Sequence, residues 1–391
     1  MMQRRDFIKL CGILGIAAPL AGCGLLDDDE EAVGSSSDVG SVIVIGAGAA
    51  GLSAAHLLDQ RGIDFRVLEA APTYGGRIKT AKDFVDFPIP LGGEWIHVDA
   101  DILSTIVNDG TIDVDTEVVG YRDSEPLAYV SDGEVELTED VGAEDLKFVD
   151  ATWLTFFEDF VLPGVESRIE YGIQILEIDY SGDGVILTDG AGGTHEADQV
   201  IVTIPPKQIQ DRVIDFVPPL PDDQREAFDE ARIWGGLKVF IEFSEKFYPT
   251  YVAIEGTDSD AGQKLYYDAA YGQRSDRHVL GLFTVGDQSE QYRVGSADAL
   301  RDVILAELDA ISDGEASRTY LQHISQDWNA EPFINQAYFA DSGDWRLPAR
   351  MREPLNGLVY FAGASYTDGS DWGSVHTAAL SARDAVSRVA N

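Results

Sequence analysis

The chain has 391 residues, 69 acidic side chains against 28 basic ones, a formal charge of −41 and 45% hydrophobic residues. That length allows two or three domain-sized units, and the composition suits a globular α/β chain. So acidic a surface excludes a nucleic-acid binder that works by neutralising phosphates, and the only cysteines, Cys11 and Cys23, exclude a disulfide framework and a cysteine-based metal site.

The chain opens with an address. Arg4 and Arg5, followed by Asp6-Phe7-Ile8-Lys9, resemble a twin-arginine export signal. The apolar stretch 10–20 is too short to span a bilayer as a stable helix. It ends in Leu20-Ala21-Gly22-Cys23, which resembles a bacterial lipoprotein cleavage box with Cys23 as the lipidated residue. Residues 1–22 are therefore expected to be a signal and 23–37, with Asp27-Asp28-Asp29-Glu30-Glu31 and a Gly-Ser run, a flexible tether. The expected destination is the periplasmic side of a membrane, reached through the twin-arginine export machinery and held there by lipidated Cys23.

A β-branched run, Val42-Ile43-Val44-Ile45, predicts a strand buried on both faces of a parallel sheet. Gly46-Ala47-Gly48-Ala49-Ala50-Gly51 follows directly, then a helical stretch to Gln60, then a strand 65–68 ending in Glu69. In such a βαβ unit Gly46 permits the tight turn, Gly48 lets backbone approach a pyrophosphate, and Gly51 lets helix pack on strand. The helix N-terminus then offers free N–H groups and a positive dipole to the phosphates. Glu69, eighteen residues past Gly51, is placed to accept ribose hydroxyls. With no basic neighbour at Ala70-Ala71, a 2′-phosphate is disfavoured. The expected contacts are Gly46, Gly48, Ala50, Gly51, Glu69 and Ala70; FAD and NAD remain open at this point.

The next segment carries a resemblance. Gly75-Gly76-Arg77 and Leu91-Gly92-Gly93-Glu94-Trp95-Ile96-His97, taken with the fingerprint, resemble the flavin-containing amine oxidase family, which includes monoamine and polyamine oxidases. The resemblance implies non-covalent FAD. It assigns Gly76 and Arg77 to the pyrophosphate and flavin edge, and Gly92, Gly93, Glu94 and Trp95 to the floor beneath the isoalloxazine. It also matches Ile175 to the adenine contact, Gly363 and Ser365 to the turn beside the ribityl chain, and Gly373, Ser374 and Val375 to the start of the last helix. Ala364 and Ser365 depart from the acidic pair common in the family. A thioether to the flavin is excluded, because Ala337 precedes Tyr338.

For chemistry, Lys238 in Gly236-Leu237-Lys238-Val239-Phe240-Ile241-Glu242-Phe243 matches the family lysine that holds a water near flavin N5. Strand alternation would turn Lys238, Phe240 and Glu242 to one face. Trp328 and Tyr338 resemble the motif before the C-terminus, Tyr338 as one of two aromatics flanking a substrate amine. The second aromatic, expected at or beside Ser374, is missing. His97 resembles a histidine at the substrate tunnel of polyamine oxidases, suited to binding or deprotonating an ammonium. Lys238, His97 and Tyr338 are thus the candidate catalytic residues. No cluster has metal-ligand spacing.

The implied architecture is α/β: a discontinuous Rossmann-like FAD-binding domain from 38–98, 167–215 and 340–391, with an inserted α+β substrate domain from 99–166 and 216–339. The first insertion, with an amphipathic helix at 151–162 ended by Pro163-Gly164, looks shorter than its counterpart in amine oxidases. Strands are expected at 238–243 and 278–285, and a helix at 297–311. The implied reaction is oxidation of an amine, with polyamines included. Hydride passes to flavin N5, the imine hydrolyses to an aldehyde, and O2 is reduced to hydrogen peroxide. The alternatives are an α-amino acid oxidase, with Arg232, Arg274 or Arg346 binding the carboxylate, a flavin desaturase with another electron acceptor, and a non-catalytic flavin scaffold.

Overall fold

In the computed structural model, residues 39–122, 125–131, 134–138, 145–256, 258–259, 261–340 and 344–390 are described. The expected signal, tether and Cys23 lie outside the described residues.

All four residues of the strand Val42–Ile45 are buried. It is the middle of a five-stranded, all-parallel sheet in the order Val359–Phe361, Gln199–Val202, Val42–Ile45, Phe65–Glu69, Ile169–Tyr171. Its side chains alternate between two cores. Val42 and Val44 join one with the helices Ala49–Gln60 and Val375–Val389, whereas Ile43 and Ile45 join the other. That second core lies between the parallel sheet and a four-stranded sheet ordered Thr194–Ala197, Val185–Asp189, Ile175–Asp179, Asp215–Val217. A strand with apolar groups on both faces is what this two-sided packing requires.

Eight further strands build a separate sheet, and three two-stranded pairs complete the described strands. Its main path runs Tyr320–Asp327, Gly236–Phe243, His278–Gly286, Gly262–Asp268, Tyr251–Ile254, Leu127–Ser131, Glu134–Thr138. Along Gly236–Phe243 the alternation is clean. Leu237, Val239, Ile241 and Phe243 meet the helix Ala297–Ser312 through Leu300, Ile304 and Leu308, while Phe240 packs on the opposite face with Phe87, Ile89 and Leu91. Ser296 caps that helix by accepting from the Ala299 N–H at 3.1 Å. The face carrying Phe240 also carries Lys238, which brings this sheet against the glycines that follow Leu91.

Helices of both insertions pack with the nucleotide-binding sheet. The helices Asp101–Val107 and Trp153–Phe160, placed by sequence on the substrate side, belong to the core of the nucleotide-binding sheet. Trp153, Phe156 and Phe157 are fully buried there. The apolar stripe of the second helix needs a partner face, and the helices over the parallel sheet provide it. The helix Asp222–Glu230 likewise packs through Ala227 and Phe228 into the second core. The first insertion is thus shared, its strands Leu127–Ser131 and Glu134–Thr138 extending the larger sheet. Among the described residues no helix is long and apolar enough to cross a membrane.

Candidate active site

Both bodies contribute to one cavity of about 410 Å³. At one end stands the glycine-rich turn. Gly46 has φ +102°, a left-handed value that favours glycine, and donates its N–H to the Leu68 carbonyl at 2.9 Å. Gly51 does not line the cavity; a Cβ there would sit 1.9 Å from the Gly46 carbonyl oxygen, so its role is close packing of helix on turn. Gly48 is the N-cap of Ala49–Gln60 and supplies no side-chain cap. The first-turn N–H groups therefore stay available to an anion. Gly75 donates its N–H to the Ala47 carbonyl at 2.8 Å, and a Cβ on Gly76 would approach Gly48 Cα to 3.2 Å.

Glu69 ends its strand beside this turn and accepts the N–H groups of Ala47 (2.6 Å) and Ala71 (2.8 Å). Burial pushes its carboxyl up from the ordinary range, opposed by the backbone hydrogen bonds from Ala71, Ala47 and Ala70. Arg77 also lines the cavity and donates from Nη1 to the Ala337 carbonyl at 3.1 Å; burial lowers its pKa. Ala50, Ala70 and Ile175 line this end as well. Side-chain-free backbone, a free helix N-terminus, one guanidinium and one ribose-facing carboxylate together fit an adenine dinucleotide diphosphate.

At the other end the wall is aromatic and charged. The Gly93 N–H binds the Arg77 carbonyl at 2.9 Å, and a Cβ on Gly92 would meet that same oxygen at 1.8 Å. Trp328 Nε1 donates to the Leu91 carbonyl at 3.1 Å, fixing the loop from behind. Trp95, Phe283 and Tyr338 line the cavity, with Tyr338 stacked on Trp234 at 6.5 Å between centroids. His97 lines it too, and its Nδ1 lies 2.8 Å from Asp145 Oδ1. With Nδ1–H donating to Asp145, the neutral ring keeps its Nε2 lone pair.

Lys238 and Glu94 form a buried pair, Nζ to Oε2 2.6 Å. The lysine also donates to the carbonyls of Gly92 (3.1 Å) and Pro90 (3.4 Å) and sits over the rings of Trp95, Phe240 and Tyr267. Tyr267 Oη donates to the same Glu94 oxygen, and Lys147 Nζ stands 3.3 Å from Glu94 Oε1. Burial pushes the Glu94 carboxyl up, but the two ammonium groups and the phenol outweigh it and hold it below the usual carboxylate range. Burial lowers the pKa of Lys238 and Glu94 opposes that shift.

Of three expected cofactor contacts, Glu94 and Ser374 border the cavity and Ser365 does not. Glu94 borders the cavity with its Oε2 hydrogen-bonded by Lys238 and Tyr267, while Oε1 faces the Lys147 ammonium as an ion pair at 3.3 Å with no hydrogen bond among the described residues; an unpaired buried charge would cost several kcal/mol. Ser365 is not on the cavity wall. Gly363 and Ala364 are, while Ser365 is buried beside the turn closed by the Tyr366 N–H to the Gly363 carbonyl (2.9 Å), its hydroxyl without a partner among the described residues. Ser374 lines the cavity with Gly373 and Val375, but its hydroxyl caps the last helix, accepting from the Thr377 N–H at 3.1 Å. Gly373, at φ +90°, leaves room for Tyr338: a Cβ there would lie 2.8 Å from the phenol oxygen. Sequence reasoning missed Lys147, Tyr267, Asp145 and Phe283, whose neighbours along the chain carry no motif.

Comparison with known proteins places this geometry. The profile described as flavin containing amine oxidoreductase matches residues 49–167 and 164–390. Lysine-specific histone demethylase 1B of Mus musculus is 23% identical over 411 residues, covering 83% of this chain and 50% of that protein. The chain spans about half the length of this demethylase and of lysine-specific histone demethylase 2 of Homo sapiens. Polyamine oxidase 3 of Oryza sativa subsp. japonica is 24% identical over 434 residues, covering 89% of this chain and 88% of its own length. Among solved structures, wild-type putrescine oxidase bound to putrescine superposes with a TM-score of 0.72 at 16% identity, covering 89% of this chain and 98% of that one. Cyclohexylamine oxidase from Brevibacterium oxydans IH-35A gives 0.73 at 16% identity, covering 90% and 99%.

Proposed function

The chain belongs to the flavin-containing amine oxidoreductase family, with FAD as its cofactor, and from that premise we propose that it oxidises an amine, polyamines included, to an imine that water converts to an aldehyde. The observation that carries this reading is a single cavity joining a dinucleotide cradle to an aromatic wall with a histidine–aspartate pair. FAD, when bound, would supply the two-electron acceptor for the hydride of the amine α-carbon and pass the electrons to O2 as hydrogen peroxide. The protein side is then positional. Tyr338, Trp95 and Phe283 pack the carbon chain and face a cation. His97, held by Asp145, takes the ammonium proton on Nε2 so that the nitrogen lone pair is available. Lys238, its three N–H groups directed at Glu94, Gly92 and Pro90, places a cation on the Gly92 side of the wall.

The test is direct. The purified protein should be yellow, and a panel of monoamines, polyamines and amino acids should bleach the flavin anaerobically and release peroxide in air only with amines. Flavin that stays oxidised with every compound would establish the scaffold alternative. Reduction by α-amino acids would establish the amino acid oxidase. Against that alternative, Arg77 is the only arginine on the cavity wall among the described residues, while Arg274 pairs with Glu117 and Asp150 on the surface and Arg346 is exposed.

For location, the proposal is export by the twin-arginine route and anchoring through Cys23, supported by the motif at Arg4-Arg5 and the box ending at Cys23. Expressed in a bacterium, the protein should partition with membranes, and Cys23→Ala should move it to the soluble fraction; an unchanged distribution refutes the anchor.

A further inference from the structure

Glu94 lies between two ammonium groups, and only one of them reaches the cavity. Lys238 lines the wall, whereas Lys147 stands behind Glu94 and spends its other donors on the carbonyls of Ala269 (3.0 Å) and Asp268 (3.4 Å). The side chains of Lys147, Glu94 and Lys238 are 4%, 3% and 5% exposed. One carboxylate thus stands between two lysine side chains in a water-poor interior. The other titratable groups facing it are the phenols of Tyr267, Tyr121 and Tyr251, which add no charge at neutral pH, and the His97–Asp145 pair nearby.

We propose that Glu94 and Lys147 are positioning residues acting through Lys238: Glu94 fixes the Lys238 ammonium against the Gly92 carbonyl, and Lys147 offsets the Glu94 charge so that the pair does not neutralise the wall. Without Lys147, Glu94 and Lys238 would sum to zero. With it, the surroundings of the loop Gly92–Gly93 are one unit more positive than Glu94 and Lys238 alone would make them, which favours an electron-rich, anionic cofactor over the oxidised one. This rests on the flavin reading above and adds to it a charge setting that the lysine on the wall cannot provide alone.

The experiment is the midpoint potential of the bound flavin, measured by dye-coupled chemical reduction without any amine, in the wild type and in K147M, K147Q and K147R. K147M and K147Q both remove the charge; K147Q keeps an N–H donor for the Asp268 and Ala269 carbonyls. The expected result is a shift of the reduction equilibrium towards oxidised flavin by about tenfold or more in the neutral variants, about 30 mV for a two-electron couple, with K147R close to wild type. An unchanged potential in a neutral variant that holds flavin overturns the proposal. So does loss of flavin from both neutral variants while K147R retains it, since Lys147 would then be structural. A wild-type protein that binds no flavin overturns this proposal and the function together, whereas bound flavin that oxidises no amine overturns only the function.

Discussion

Two carboxylates of this site, half-buried Glu69 and buried Glu94, are governed by opposite forces, and each makes a prediction. Burial raises Glu69, which is held by backbone N–H groups alone. Glu69→Gln keeps a carbonyl acceptor but loses the charge-assisted hydrogen bonds to backbone and ribose, worth about 1.5–3 kcal/mol. FAD affinity of the apoprotein, read by fluorescence quenching, should fall by roughly 10- to 100-fold. Glu94 is lowered despite its burial, by Lys238 and Lys147. A carboxyl whose folded pKa lies below its unfolded value, about 4.3 for Glu, stabilises the fold above that value; the contribution is lost as pH falls through the folded pKa. Glu94→Gln leaves a buried pair broken, at a cost of about 3–5 kcal/mol near pH 7. Thermal unfolding across pH should show that deficit shrinking below about pH 4. A deficit constant down to pH 2 would mean that Glu94 is not ionised in the fold.

At the scale of elements, the strand–turn–helix unit is the most tightly specified part of the chain. Gly51→Ala would drive a Cβ to 1.9 Å from a backbone oxygen that cannot swing aside. The expected loss is about 1–3 kcal/mol of stability, read as a lower unfolding temperature, together with a protein purified largely without flavin. This unit was legible in the sequence because its signals are local: four β-branched residues, spaced glycines and an acid at the next strand end. Alternation along Gly236–Phe243 was legible for the same reason, since it puts Phe240 in one core and Val239 and Ile241 in the other. The partners of Glu94 were not. Lys147 lies in the strand Leu146–Phe148 and Tyr267, 173 positions from Glu94, in Gly262–Asp268 of a different sheet, and only the packing of both against the loop that holds Glu94 brings them together. The packing of Trp153–Phe160 was not legible either, because an amphipathic helix declares an apolar face without naming the surface that will cover it.

For the molecule as a whole, a formal charge of −41 implies strong self-repulsion at low ionic strength. With a Debye length of about 30 Å at 0.01 M and about 3 Å at 1 M salt, sodium chloride should raise the unfolding temperature by several degrees over that range, and a flat response would show that the acids are already locally balanced. The central claim, however, is that the joined cavity holds FAD where an amine can reduce it. The most direct measurement is anaerobic stopped-flow of the purified protein at 450 nm against putrescine, a longer polyamine, a monoamine and an α-amino acid. The account predicts saturable bleaching by at least one amine, no bleaching by the amino acid, and return of the oxidised spectrum with peroxide on admitting air. A bound flavin that no amine bleaches would contradict it.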